Sequence, residues 1–112
     1  MSAQDQNSVR AAEVKQLVDM LQYQDSSIVS RVLLKNKGGT VTLFAFDAGE
    51  GLSEHTAPFD ALVVVTDGEG DVEIAGESFR VRQGETIVLP ANRPHAVRAV
   101  ARFKMLLIMI RA

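Results

Sequence analysis

Beyond Tyr23, apolar residues come in short runs cut by turn residues, not at helical spacing. The punctuation is Asp25-Ser26-Ser27, Lys37-Gly38-Gly39, Ala48-Gly49, Asp67-Gly68, Ala75-Gly76 and Gln83-Gly84. The runs between are rich in Val, Ile, Leu, Thr and Phe, and they predict strands at 28–36, 40–47, 60–67, 70–75, 77–82, 85–89, 95–100 and 103–110. A series of brief strands with regular turns describes an all-β sandwich or barrel. The clearest hairpin is 71–82, where Val72, Ile74, Phe79 and Val81 fall on one face and charged residues on the other.

The first part of the chain differs. Residues 1–8 are polar and read as a disordered tail, leaving 9–112 as one domain. Val14, Leu17, Val18 and Leu21 recur at helical spacing, with Ser8 as N-cap and Glu13 in the first turns, which predicts a short helix or arm over 9–21. Short strands would produce similar spacing.

Two runs, Ala61–Val65 and Met105–Ile110, are apolar on both faces. A strand of that kind is covered on both sides. A second subunit is one candidate cover and predicts a homodimer; the N-terminal helix is the other.

Composition narrows the function classes. The chain has 112 residues, no cysteine, 12 basic and 14 acidic side chains. Disulfides and thiolate chemistry are excluded, and a reducing, cytoplasmic setting is the expectation. No basic stripe marks a nucleic-acid surface. No apolar stretch has the length of a membrane helix, and Met1–Asn7 lacks the apolar core of a signal peptide, so no membrane partner is expected. There is no Gly-x-Ser-x-Gly elbow and no phosphate loop of the Gly-x-x-x-x-Gly-Lys type.

The chain has two histidines, His55 and His95, each read as following a glycine-containing turn and opening a strand. Gly49 through His55 and on to Gly68 resembles the first cupin motif: a glycine, five residues, His-x-His, three or four residues, a glutamate, six residues and a glycine. Gly84, Pro90 and His95 resemble the second, a glycine, five residues and Pro-x-Gly-x-x-His, ending in an asparagine. The resemblance spans about residues 40–110. It implies a small, RmlC-like cupin: a double-stranded β-helix, or jelly-roll barrel, with its site inside one end. In that family the two histidines and glutamate of the first motif and the histidine of the second hold one metal, with Fe, Mn, Ni, Zn and Cu all represented.

The motif is degenerate here. Ala57 occupies the second histidine position, Ala61 the glutamate position, Asn92 the inner glycine and Ala99 the final asparagine. His55 and His95 alone remain. Zinc sites use three or four protein ligands, and the non-haem iron triad adds a carboxylate to two histidines. Asp60 is the nearest carboxylate that could complete a divalent transition-metal site. Strand alternation turns it outward if Ala61 turns inward, unless a bulge after Pro58 reverses the parity.

The replacements leave a pocket lined by Ala57, Ala61, Val63 and Val65, with Phe44, Phe46 or a C-terminal methionine adding to the wall. His55 and His95 would be its polar contacts, and Arg93 would stand at the mouth for an anionic ligand. An apolar pocket with a few convergent polar groups is the usual composition of a small-molecule site. A filled core, in which each histidine bonds a backbone carbonyl, is the plain alternative. Three functions fit: a module binding a small organic ligand, a metal-dependent oxygenase or isomerase, or metal-free acid–base catalysis by a histidine. The pattern leaves open whether the protein is an enzyme.

Overall fold

The computed structural model of the protein describes residues 9–111. The tail assigned to 1–8 lies outside them. The described residues form nine strands: β1 (Ile28–Asn36), β2 (Gly39–Phe46), β3 (Gly51–His55), β4 (Asp60–Asp67), β5 (Glu69–Ile74), β6 (Glu77–Arg82), β7 (Thr86–Leu89), β8 (His95–Ala99) and β9 (Phe103–Ile110). They pair antiparallel in two sheets, ordered β1-β2-β9-β4-β7 and β3-β8-β5-β6. This is the all-β, jelly-roll architecture expected from the sequence. Among the described residues no helix is long and apolar enough to cross a membrane.

The core lies between the sheets, where alternate residues of each strand turn inward. Phe46, Val63, Val65, Val72, Phe103 and Met105 are almost wholly enclosed. The rings of Phe46 and Phe103 stack at 4.5 Å between centroids and 7° between planes. Gly70 lies under Phe103, so close that a methyl group there would fall 2.8 Å from the ring. The 71–82 hairpin pairs Val72 with Phe79 and Ile74 with Glu77, which puts Val72, Ile74, Phe79 and Val81 on one face as expected, with Glu77 joining them there.

The helix expected over 9–21 is absent. Only Leu17–Asp19 forms a turn of 3-10 helix, preceded by extended backbone at Gln16, and Val14 is fully exposed. The apolar spacing has another cause. Leu17, Met20, Leu21 and Tyr23 anchor an irregular strap across the outer face of the five-stranded sheet, over Leu43, Ala45 and Leu106. Polar contacts fix it. The Lys104 ammonium donates to Val18 O, Arg31 donates to Met20 O at 3.2 Å, and the Tyr23 hydroxyl donates to Asp67. Lys104 is buried beneath the strap, with its ammonium 5.0 Å from the centre of the Tyr23 ring. The strap covers part of the outward apolar surface, by a different structure from the one expected.

Candidate functional site

Sequence alternation did not reveal β3, which reads Gly-Leu-Ser-Glu-His and contains one large apolar residue. Leu52 lies opposite Val97 and His55 opposite His95, so three residues of β3 span two of β8. The extra residue is a bulge. It has a decisive effect: without it, the odd step from Leu52 to His55 would put the histidine on the other face. With it, the two imidazoles meet on one side of the sheet. His55 therefore closes its strand instead of opening one, while His95 opens β8 as expected.

The two Nε2 atoms are 3.1 Å apart, and the rings meet edge to face, 4.4 Å between centroids at 72°. His55 is exposed and His95 buried, so the pair stands at a boundary between solvent and interior. Each Nδ1 contacts a backbone carbonyl, Ser53 O at 2.8 Å for His55 and Arg93 O at 3.2 Å for His95. A carbonyl only accepts, so each Nδ1 carries the proton. In the neutral rings both Nε2 atoms then present lone pairs to each other. A single cation between them, a proton included, turns that repulsion into attraction. Burial holds the His95 imidazole below the usual histidine range, the charge of nearby His55 adds to the effect, and the bond to Arg93 O opposes it.

The remaining candidates fall around this pair. Ala57 is half-buried, and its carbonyl accepts from the Asn92 amide at 2.8 Å, tying the end of β3 to the turn before His95. Asn92 takes up a left-handed conformation, φ 65°, where the family motif has glycine. Ala61 and Val63 face the interior, and Val63 is packed into the core with Val65 and Phe46. Arg93 is exposed, and its carbonyl holds His95.

Asp60 does not join the histidines. No bulge reverses the parity after Pro58: Asp60 is exposed, Ala61 buried, and the carboxylate accepts from the Ala91 amide at 2.8 Å. Its role is to hold the β7–β8 turn. Among the described residues, no group of three or more His, Cys, Asp or Glu side chains could hold a metal ion. The metal site that the family motif implies is thus half present, with two imidazole nitrogens and no carboxylate.

A concavity of about 500 Å³ lies elsewhere, on the outer face of the four-stranded sheet. Ser53, Asp71, Glu73, Ser78 and Arg98 line it with polar side chains, and neither histidine lines it. Asp71 is engaged by Arg80 at 2.6 Å.

The Cupin domain family profile matches residues 42–111. The chain belongs to the cupin family. No curated protein matches this cupin. Among solved structures, it is similar to a conserved protein of unknown function from Streptococcus pyogenes. The two are 34% identical over 93% of this chain and 91% of that one, with a TM-score of 0.88. A cupin 2 conserved barrel domain protein from Leptotrichia buccalis is 45% identical over 84% of this chain, with a TM-score of 0.81. This cupin spans only 46% of that protein. A cupin superfamily protein from Desulfitobacterium hafniense shares the fold at 23% identity, covering 93% of this chain and 95% of its own, with a TM-score of 0.87.

Proposed function

We propose that this cupin binds a small organic ligand, a carboxylate or hydroxy acid, at the mouth of the barrel through His55 and His95. The convergence of the two Nε2 atoms at 3.1 Å carries the reading. With both Nδ1 protons committed to backbone carbonyls, every remaining hydrogen-bonding position of the two rings points to one spot. A singly protonated pair can exchange its internal Nε2–H···Nε2 bond for one donor and one acceptor to a ligand, the complement of a carboxyl or hydroxyl group. Ala57 and Ala61 stand where the family motif has a histidine and a glutamate, and exposed Arg93, two residues before His95, adds positive charge.

The same convergence favours a second reading. Two imidazoles aimed at one point can share a divalent transition metal if ligand or water completes the shell. Among the described residues, two of the three or four protein ligands such sites use are present, so the metal would depend on the organic ligand.

Chemical-shift titration of a panel of short carboxylic and hydroxy acids, with parallel titrations of Mn, Ni, Cu and Zn ions, tests both. A panel member is expected to perturb the His55 and His95 ring signals, and its affinity is expected to fall at least about tenfold in His55→Ala and in His95→Ala, the scale of one lost charge-assisted hydrogen bond. Near-stoichiometric metal binding that requires a panel acid, and is lost in either variant, would move the second reading ahead. Saturation by an acid that persists in both variants would contradict the site.

A further inference from the structure

The outer face of the four-stranded sheet is polar by parity. Val72, Val81 and Val97 turn into the core, so Asp71, Glu73, Arg80, Ala96 and Arg98 turn outward. The pairing register arranges them in two rows. In the first, Gly51, Arg98, Asp71 and Arg80 lie directly opposite one another. In the second, Ala96, Glu73 and Ser78 do so, with Ser53 of the β3 bulge beside Ala96.

The concavity of about 500 Å³ on this face has a floor of small residues. Gly51 has no room for a side chain, since a methyl group there would fall 2.4 Å from the carbonyl oxygen of Val97. Ala96 adds only a methyl group. Arg98, Asp71 and Glu73, which also line the concavity, are longer and form its walls.

Its charges are of two kinds. Asp71 is held by Arg80 at 2.6 Å, and Arg80 and Arg82 approach Glu69 at 3.6 and 3.4 Å. These groups satisfy one another along the β5–β6 hairpin. Arg98 stands directly opposite Asp71, but Arg80 occupies that carboxylate. Among the described residues neither Arg98 nor Glu73 forms an ion pair. The two are diagonal neighbours across β8 and β5, a relation that sets backbones about 7–8 Å apart. One positive and one negative group thus share a concavity without meeting each other.

We propose that this concavity is a second binding site and that its ligand is a small zwitterion, the chemistry of a free amino acid or a dipeptide. The ligand carboxylate goes to the Arg98 guanidinium, whose planar fork takes two oxygens. The ammonium goes to Glu73. The exposed hydroxyls of Ser53 and Ser78 both donate and accept, which suits the remaining polar atoms. Charge balance selects among ligands. With Asp71 neutralised by Arg80, the unpaired groups sum to zero, and an acid or an amine alone leaves one of them unmet. The volume lies within the range of small-molecule pockets, and the solvated walls set a millimolar affinity. The site is separate from the histidine pair, since His95 turns to the inner side of the same sheet.

Amide chemical-shift titration with alanine and with alanyl-alanine, each to about 20 mM, a span that reaches millimolar dissociation constants, tests it. At least one zwitterion is expected to shift the Ser53, Glu73, Ser78 and Arg98 signals, and the tighter of the two tells the amino acid from the peptide. N-acetylalanine lacks the ammonium and alanine methyl ester lacks the carboxylate. Each is expected to bind at least about tenfold more weakly, the scale of one lost charge-assisted contact. Arg98→Gln and Glu73→Gln, both at outward positions that leave the core intact, are expected to weaken the zwitterion by the same factor, while His55→Ala leaves its affinity unchanged. No shift of these signals by either zwitterion, a capped form that binds as tightly, an affinity indifferent to either glutamine variant, or binding lost with His55 would overturn the proposal.

Discussion

Phe103→Ala is expected to lower the unfolding free energy by about 3–5 kcal/mol, the range for truncating a fully buried aromatic side chain. The ring is completely enclosed, stacks on Phe46, and closes over Gly70. It therefore joins β9 and β2 of one sheet to β5 of the other. Gly70 has no side chain and Phe46 is held by the neighbouring strands, so little can move into the space. Urea melts of parent and variant measure the difference. A loss below about 1.5 kcal/mol would show that the sheets collapse over the cavity and that this stack is not the centre of the core.

Gly68→Ala is expected to cost about 3 kcal/mol or more, through two causes that a matched control separates. Gly68 has φ +70°, a left-handed conformation that costs an L-residue roughly 1 kcal/mol. A methyl group there would also fall 2.0 Å from the carbonyl oxygen of Arg102, which is backbone and cannot swing away. Gly76, at φ +86°, has nothing within 4 Å of the added carbon. Gly76→Ala should therefore show only the conformational cost, about 1 kcal/mol. Equal losses in the two variants, measured by the same urea melts, would mean that the β4–β5 turn shifts to admit the methyl group. The contrast gives a steric reason for the glycine that ends the first cupin motif in this chain: it lets the β4–β5 turn pass against the β8–β9 connection.

The strands were legible in the sequence because most of them follow a simple rule. One face is buried, turn residues interrupt the run, and the period is two. The 71–82 hairpin followed from parity alone, whereas parity turned Asp60 outward only in the absence of a bulge after Pro58, and the structure has none. β3 escaped because a five-residue strand with a bulge has no period to detect. The segment 9–21 was misread because the anchors of an irregular strap, spaced by the positions of Leu43, Ala45 and Leu106 beneath it, imitate a helical repeat. The motif register singled out His55 and His95 as the surviving pair. Their convergence was not legible, since it depends on the same bulge that hid the strand. Asp60 drew attention as the nearest carboxylate, but proximity in sequence said nothing of the Ala91 amide that occupies it.

The convergent histidine pair is the centre of the functional account, and its protonation can be read directly. Long-range nitrogen–proton NMR of the imidazole rings between about pH 5 and 8, the range in which histidine changes charge, reports which nitrogen holds each proton. Parent and His55→Ala are compared. Both neutral rings are expected in the Nδ1–H form. His95 should titrate below the usual histidine value of 6.5, and its midpoint should rise when His55 is removed, because the charge beside it is gone. An Nε2–H form in either neutral ring, or a His95 midpoint unmoved by the loss of His55, would contradict a site built from two facing Nε2 atoms.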